Sequence, residues 1–183
     1  MKILILNGNP DASDTGLDDY IAELGTQLAE SGNDAELVTL REKKIRPCTG
    51  CFGCWIKTPG TCSIPDDAIE LAGRYLAADV VILASPLVNG YLSSLLKNAI
   101  DRNIPIIHPY LEAVDGEVHH LKRYDRYPEI GILLQREPST DEEDIEIVTD
   151  LFKRMIINMR TTLKFLEFTD KPAPEVAHAV NIH

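Results

Sequence analysis

Basic residues are scarce in this chain, cysteine is missing from all of it but one short stretch, and no long apolar run occurs anywhere. Eighteen Lys and Arg stand against 29 Asp and Glu, for a formal net charge of −11. Such a balance repels phosphodiester backbones and anionic membranes, so neither nucleic acid nor a membrane surface is an expected partner. The amino terminus offers only the four apolar residues Ile3 to Leu6 before turn chemistry begins at Asn7-Gly8. That is too short for a signal peptide or a membrane span. No other stretch approaches a span, and the expected location is the cytoplasm. Internal repeats and low-complexity segments are absent as well.

What is present suits one domain: 183 residues, 44% of them hydrophobic, enough to bury a proper core. All four cysteines, Cys48, Cys51, Cys54 and Cys62, fall within fifteen residues in the pattern C-x2-C-x2-C-x7-C. Two successive C-x2-C steps bring thiols to one side of a tight turn, and Gly50, Gly53 and Gly60 let the backbone bend around an occupant. In a reducing compartment such a set reads as metal-binding or redox-active rather than as a disulfide framework. An iron–sulfur cluster, reduced structural or redox thiols, and zinc all stay open. Zinc ranks last because its tetrahedral sites usually come as two separated pairs.

Along the chain, continuous apolar runs at Lys2–Leu6, Ala35–Leu40, Val80–Ala84, Glu129–Gln135 and Thr162–Phe168 predict strands. Helical spacing predicts helices from Leu17 to Ser31, from Asp66-Asp67 to Ala77, from Tyr91 to Arg102, and from a capping box at Thr140 to Met159. Residues 103–128 carry no sustained period and are expected to be an irregular excursion. Residues 169–183 form a tail beyond a domain at 1–168. Alternating strands and helices predict an α/β fold, a flavodoxin-like doubly wound five-stranded parallel sheet of order 2-1-3-4-5 with helices on both faces. In that order ligands bind where the winding reverses, between the loops leaving the first and third strands. These are residues 7–16 and 85–90, each preceding a helix amino terminus suited to an anion.

Lys2–Pro10, the cysteine loop running into Asp66-Asp67, Ser85-Pro86 with Asn89-Gly90, and Leu96-Lys97 with Asp101-Arg102 resemble the NADPH-dependent FMN reductase family of flavodoxin-like proteins. The compact cysteine spacing is similar to that of the iron–sulfur flavoproteins within it. The resemblance spans roughly residues 1–168. It implies that Asn9, Pro10, Ser13, Thr15, Gly16 and Leu17 cradle the FMN phosphate. Ser85, Pro86, Leu87, Val88, Asn89 and Gly90 would line the flavin ring, with Gln135 and Arg136 completing the pocket. Cys48, Cys51, Cys54 and Cys62 would ligate a [4Fe–4S] cluster. NAD(P)H would be co-substrate, small molecules the electron donor and acceptor, and the assembly a homodimer or homotetramer. The phosphate loop also carries Asp11, Asp14, Asp18 and Asp19, and carboxylates oppose a dianion unless they point away.

Other features have plainer readings. Trp55 reads as packing. His119, His120, Lys122, Arg123 and Arg126 form a basic patch in a solvated or interface loop. Lys97, Asp101 and Arg102 read as intrahelical ion pairs, and Glu137 to Asp144 as a charge bias at a helix start. The expected function is an FMN-dependent oxidoreductase. The alternatives are an electron carrier without turnover and a binding protein that has lost FMN.

Overall fold

The computed structural model describes residues 1–114 and 116–182. The chain opens with β1 (Lys2–Asn7), α1 (Gly16–Glu30) and β2 (Asp34–Thr39). The cysteine region follows, with a single helical turn, α2 (Gly53–Ile56), inside it. Next come α3 (Ala68–Ala77), β3 (Val80–Val88), the two-residue β4 (Tyr91–Leu92) and α4 (Ser94–Asp101). A hairpin of β5 (Ile107–Val114) and β6 (Glu117–Lys122) precedes β7 (Glu129–Gln135), α5 (Glu142–Asn158), β8 (Leu163–Phe168) and α6 (Ala173–Asn181).

The main sheet runs β2-β1-β3-β7-β8, all parallel, with β4 added antiparallel to the end of β3. This is the expected winding, with its reversal between β1 and β3. Side chains alternate across the sheet as strand geometry requires. Ile3, Ile5, Val80, Ile82 and Leu133 face α1 and α6, while Leu4, Leu6, Val81, Leu83, Ile130 and Ile132 face α3, α4 and α5. Both faces are covered, so the strands read as unbroken apolar runs.

Several expectations shift. The excursion at 103–128 contains the β5–β6 hairpin, whose register is irregular between Ile107 and Leu111. Beyond Phe168, α6 buries Ala173, Val176, Ala177 and Val180 against α1. Pro172 and Pro174 open that helix, where a missing N–H is harmless. The capping box of α5 sits one residue later than expected: Asp141 accepts from the Asp144 N–H, and the Asp144 carboxylate accepts from the Asp141 N–H. The basic patch is largely consumed internally. His119 is buried between Asn158 and Glu117, Arg123 donates to the Pro105 carbonyl at 2.9 Å, and Arg126 pairs with Asp79. Trp55 does pack: it stacks on Phe52 and donates to the carbonyls of Ile104 and Ile107.

Candidate functional site

The carboxyl ends of β1 and β3 bring the two anion-suited loops side by side, and Ser93 ties them together. Its hydroxyl donates to the Gly8 carbonyl at 2.6 Å and caps α4 by accepting from the Leu96 N–H. Its own N–H donates to the Ser85 hydroxyl at 2.9 Å. Gly8 N–H donates to the Ala84 carbonyl at 2.8 Å. A side chain at Gly8 would meet Leu96 Cβ at 2.7 Å and the Ala84 carbonyl at 2.9 Å, so only glycine allows this approach. Ser93 was not among the expected site residues. A serine just ahead of an apolar helical pattern is a cap signal, and it could have been read there.

In the first loop, Asn9 is buried and donates to the Asp14 carbonyl at 2.7 Å and to Asp18 at 3.2 Å. Asn7 also donates to Asp18, at 2.6 Å, and Arg41 grips both Asp18 oxygens at 2.6 and 3.2 Å. Burial pushes the Asp18 carboxyl up, but Arg41, Asn7 and Asn9 outweigh it and hold it below the usual value. Asp18 is therefore neutralised by Arg41 rather than confronting a ligand. Asp11 and Asp14 are different. Asp11 accepts from the Ser13 N–H and hydroxyl at 2.8 and 2.7 Å, and Asp14 accepts from the Gly16 N–H at 3.1 Å. Thr15 sits at the α1 amino terminus and makes no capping bond. Pro10 is exposed, while the Leu17 side chain lies wholly in the core and leaves only its backbone for a ligand.

The second loop is mostly strand. Ser85 to Val88 continue β3, and only Asn89-Gly90 turn, in the left-handed region at φ 51° and 72°. Such a pair between paired strands is the turn that Asn-Gly favours. Ser85 is fully buried, its hydroxyl donating to the Pro86 carbonyl, and Leu87 packs into the core. Asn89 and Gly90 direct their N–H groups to the two oxygens of Glu137, at 3.1 and 3.3 Å. Gln135 reaches toward the α1 start, its Nε2 lying 3.0 Å from where a Gly16 side chain would begin. Arg136 is engaged elsewhere, lying over the Phe168 ring at 4.3 Å and 3.4 Å from Asp170.

The two loops thus bring backbone amides and hydroxyls, the donor types that suit an FMN, together at the switch point. They fit the cofactor with one qualification written in the geometry. The donors of Ser13, Gly16, Asn89 and Gly90 are each occupied by a carboxylate of the chain itself.

The cysteine loop is tied to the carboxyl end of α4, where Arg102 bonds the Arg46 carbonyl, Asp66 and Cys62. Cys48 and Cys51 are exposed, Cys54 is buried, Cys62 is half-buried, and all four are free thiols. The Gly53 N–H, Ser63 and Thr49 pull the Cys51 thiol below its usual value. Burial pushes the Cys54 thiol up, and the Cys62, Cys48 and Cys51 sulfurs add to that rise, so Cys54 feels the other three. Cys62 receives a hydrogen bond from Arg102 Nη2 at 3.3 Å. Arg102 does not pair within its own helix as expected; Lys97 and Asp101 do. The thiols supply the chemistry of a cluster site. Among the described residues, though, no three of His, Cys, Asp or Glu are gathered closely enough to hold a metal ion. No described helix is long and apolar enough to cross a membrane.

The family described as NADPH-dependent FMN reductase matches residues 1–110. An iron-sulfur flavoprotein of Methanocaldococcus jannaschii is 36% identical over 107 residues, covering 58% of this chain and 53% of that protein. One from Archaeoglobus fulgidus is 33% identical over 104 residues, covering 56% and 49%. The chain spans about half the length of the curated relatives it matches. Among solved structures, an NAD(P)H:quinone oxidoreductase from Methanothermobacter marburgensis aligns with a TM-score of 0.70 at 17% identity, covering 100% of this chain and 97% of that one. An FMN-dependent NADH-azoreductase from Bacillus anthracis in complex with FMN aligns at 0.61 and 15%, covering 98% and 93%. At these identities the likeness establishes the fold.

Proposed function

Because the chain belongs to the NADPH-dependent FMN reductase family, we propose that it is an FMN-dependent oxidoreductase, drawing electrons from NAD(P)H and delivering them to a small acceptor such as a quinone or a flavin. The observation that carries this reading is the pairing of the Gly8–Gly16 and Ser85–Gly90 loops at the β1/β3 switch point, locked by Ser93. Bound FMN would supply the redox chemistry. The chain's part is to hold and orient it. Asn9, Ser13, Thr15, Gly16 and the Leu17 backbone would take the phosphate. Pro86, Val88, Asn89 and Gly90 would lie against the ring, with Gln135, which reaches toward Gly16 from β7, beside them. Ser85 and Leu87 act indirectly, through the hydrogen bond to Ser93 and through core packing.

The four cysteines would hold an iron–sulfur cluster once their loop draws together, a reading supported by the names of the relatives and by four free thiols. Because those names give a flavin and an iron–sulfur group but no reaction, the second reading is an electron carrier that passes electrons between FMN and a cluster without turning over a substrate. We place the protein in the cytoplasm as a homodimer or homotetramer. Exposed Ile147 and Leu151 on α5 and Tyr110, Leu111 and Val118 on the hairpin offer apolar surface for assembly. Steady-state oxidation of NADH or NADPH by the FMN-loaded protein, with a quinone present, tests the enzyme reading. Sustained turnover supports it. Retained flavin with no turnover would replace it with the carrier.

A further inference from the structure

Among the described residues, Glu137 is the one side chain that touches both amides of the Asn89-Gly90 turn. Consecutive left-handed residues turn their N–H groups to one side, forming a concavity that receives anions or paired acceptors. Here one carboxylate oxygen fills each donor. Glu137 reaches them from just past the end of β7, where Gln135 is registered against Pro86 of β3. Its backbone is pinned on both sides, the Glu137 N–H donating to the Thr140 hydroxyl at 3.0 Å and the Thr140 N–H donating to the Glu137 carbonyl at 3.0 Å. Only the side chain is left to swing. Among the described residues no cation pairs with it, and Arg136 beside it is engaged by Phe168 and Asp170. A half-buried carboxylate held by two amides alone is an acceptor pair standing in the ring loop.

We propose that Glu137 competes with the flavin ring for the Asn89 and Gly90 amides, and that this side chain thereby sets how tightly the protein holds its flavin. The inference rests on the FMN reading of the preceding subsection. A flavin edge offers a carbonyl oxygen beside a ring nitrogen, two neutral acceptors spaced for the same two donors. The carboxylate is the stronger acceptor, since hydrogen bonds to charged groups outweigh neutral ones. Flavin must displace it on entry. Asp11 and Asp14 stand in the same relation to the Ser13 and Gly16 donors of the other loop, which the FMN reading assigns to the phosphate. The two loops are therefore separable by ligand. Riboflavin shares the ring and lacks the phosphate; FMN has both.

The test is titration of the full-length apoprotein with FMN and with riboflavin, followed by quenching of flavin fluorescence. It compares wild type, Glu137→Gln, Glu137→Ala and Asp11→Asn/Asp14→Asn, with circular dichroism checking that each is folded. Both Glu137 variants are expected to bind FMN and riboflavin about tenfold more tightly, a shift of about 1.4 kcal/mol. The double Asp variant is expected to gain for FMN alone. Unchanged or weaker binding by both Glu137 variants, with wild type binding FMN, overturns the competition and leaves the FMN reading standing. If no protein in the set binds either flavin, the FMN reading fails and this inference falls with it.

Discussion

Arg102 and Asp66, 36 residues apart, form a forked ion pair inside the protein. Nη1 lies 2.8 Å from Oδ2 and Nη2 2.9 Å from Oδ1, with side chains only 1% and 5% exposed. The same guanidinium donates to the Arg46 carbonyl at 2.6 Å and to the Cys62 sulfur at 3.3 Å. One residue at the end of α4 thus fixes both flanks of the cysteine loop. The other end of α4, capped by Ser93, fixes the two switch-point loops.

Removing one partner of such a pair strands a buried charge. Arg102→Met is expected to lower unfolding free energy by about 3–5 kcal/mol. Arg102→Lys should recover only part of this, because an ammonium cannot fork. Urea unfolding midpoints measure both, and a loss below about 1 kcal/mol for the Met variant would deny the pair its structural role.

Acid should weaken the fold through Asp66 and Asp18. Burial pushes the Asp66 carboxyl up, but Arg102 and the N–H groups of Arg46 and Ala68 hold it below its ordinary value near 3.8. Arg41 and two asparagines do the same for Asp18. A depressed carboxyl contributes stability in full above its unfolded value and loses it as pH falls through the folded one. Unfolding free energy should therefore stay flat with respect to these groups down to about pH 5 and fall below about pH 4. Arg41→Gln should shallow that fall. Urea unfolding at several acidic pH values measures it, and an identical slope in the variant would contradict the assignment.

Two glycines should respond in opposite directions. Gly8→Ala meets the backbone carbonyl of Ala84, which cannot yield, and is expected to destabilise by about 1–3 kcal/mol while loosening flavin binding. Gly25, inside α1, has nothing within 4 Å of an added Cβ. Gly25→Ala should stabilise by about 0.8–1 kcal/mol. Thermal melts of both variants settle the pair.

If the cysteines hold a cluster, Cys51→Ala should remove most iron after anaerobic reconstitution with iron and sulfide, and leave FMN content nearly intact. Iron content equal to wild type would remove Cys51 from the site.

Strands at β1, β3 and β7 were legible because sheet burial on both faces leaves continuous apolar runs, and their order fixed where the loops meet. The β5–β6 hairpin was not legible. Its irregular register breaks the alternation, and Tyr110, Leu111 and Val118 are exposed apolar residues that mimic no period. Helix α6 was hidden by Pro172 and Pro174, which look like breakers until a helix is seen to start on them. Arg102 resembled a member of its own helix pattern, since a pairing across 36 residues leaves no local trace. Glu137 was invisible for the same reason. It sits in an acidic run that reads as helix charge bias, and only the fold brings it to Asn89 and Gly90.

The central claim is that the β1/β3 loops hold FMN for NAD(P)H-driven electron transfer. The most direct measurement is an absorption spectrum of protein purified without oxygen and given FMN, before and after adding NAD(P)H, with FMN assayed per chain. One FMN per chain, its visible absorbance bleached by NAD(P)H, is the predicted result. Protein that retains no flavin after FMN is added would contradict the account.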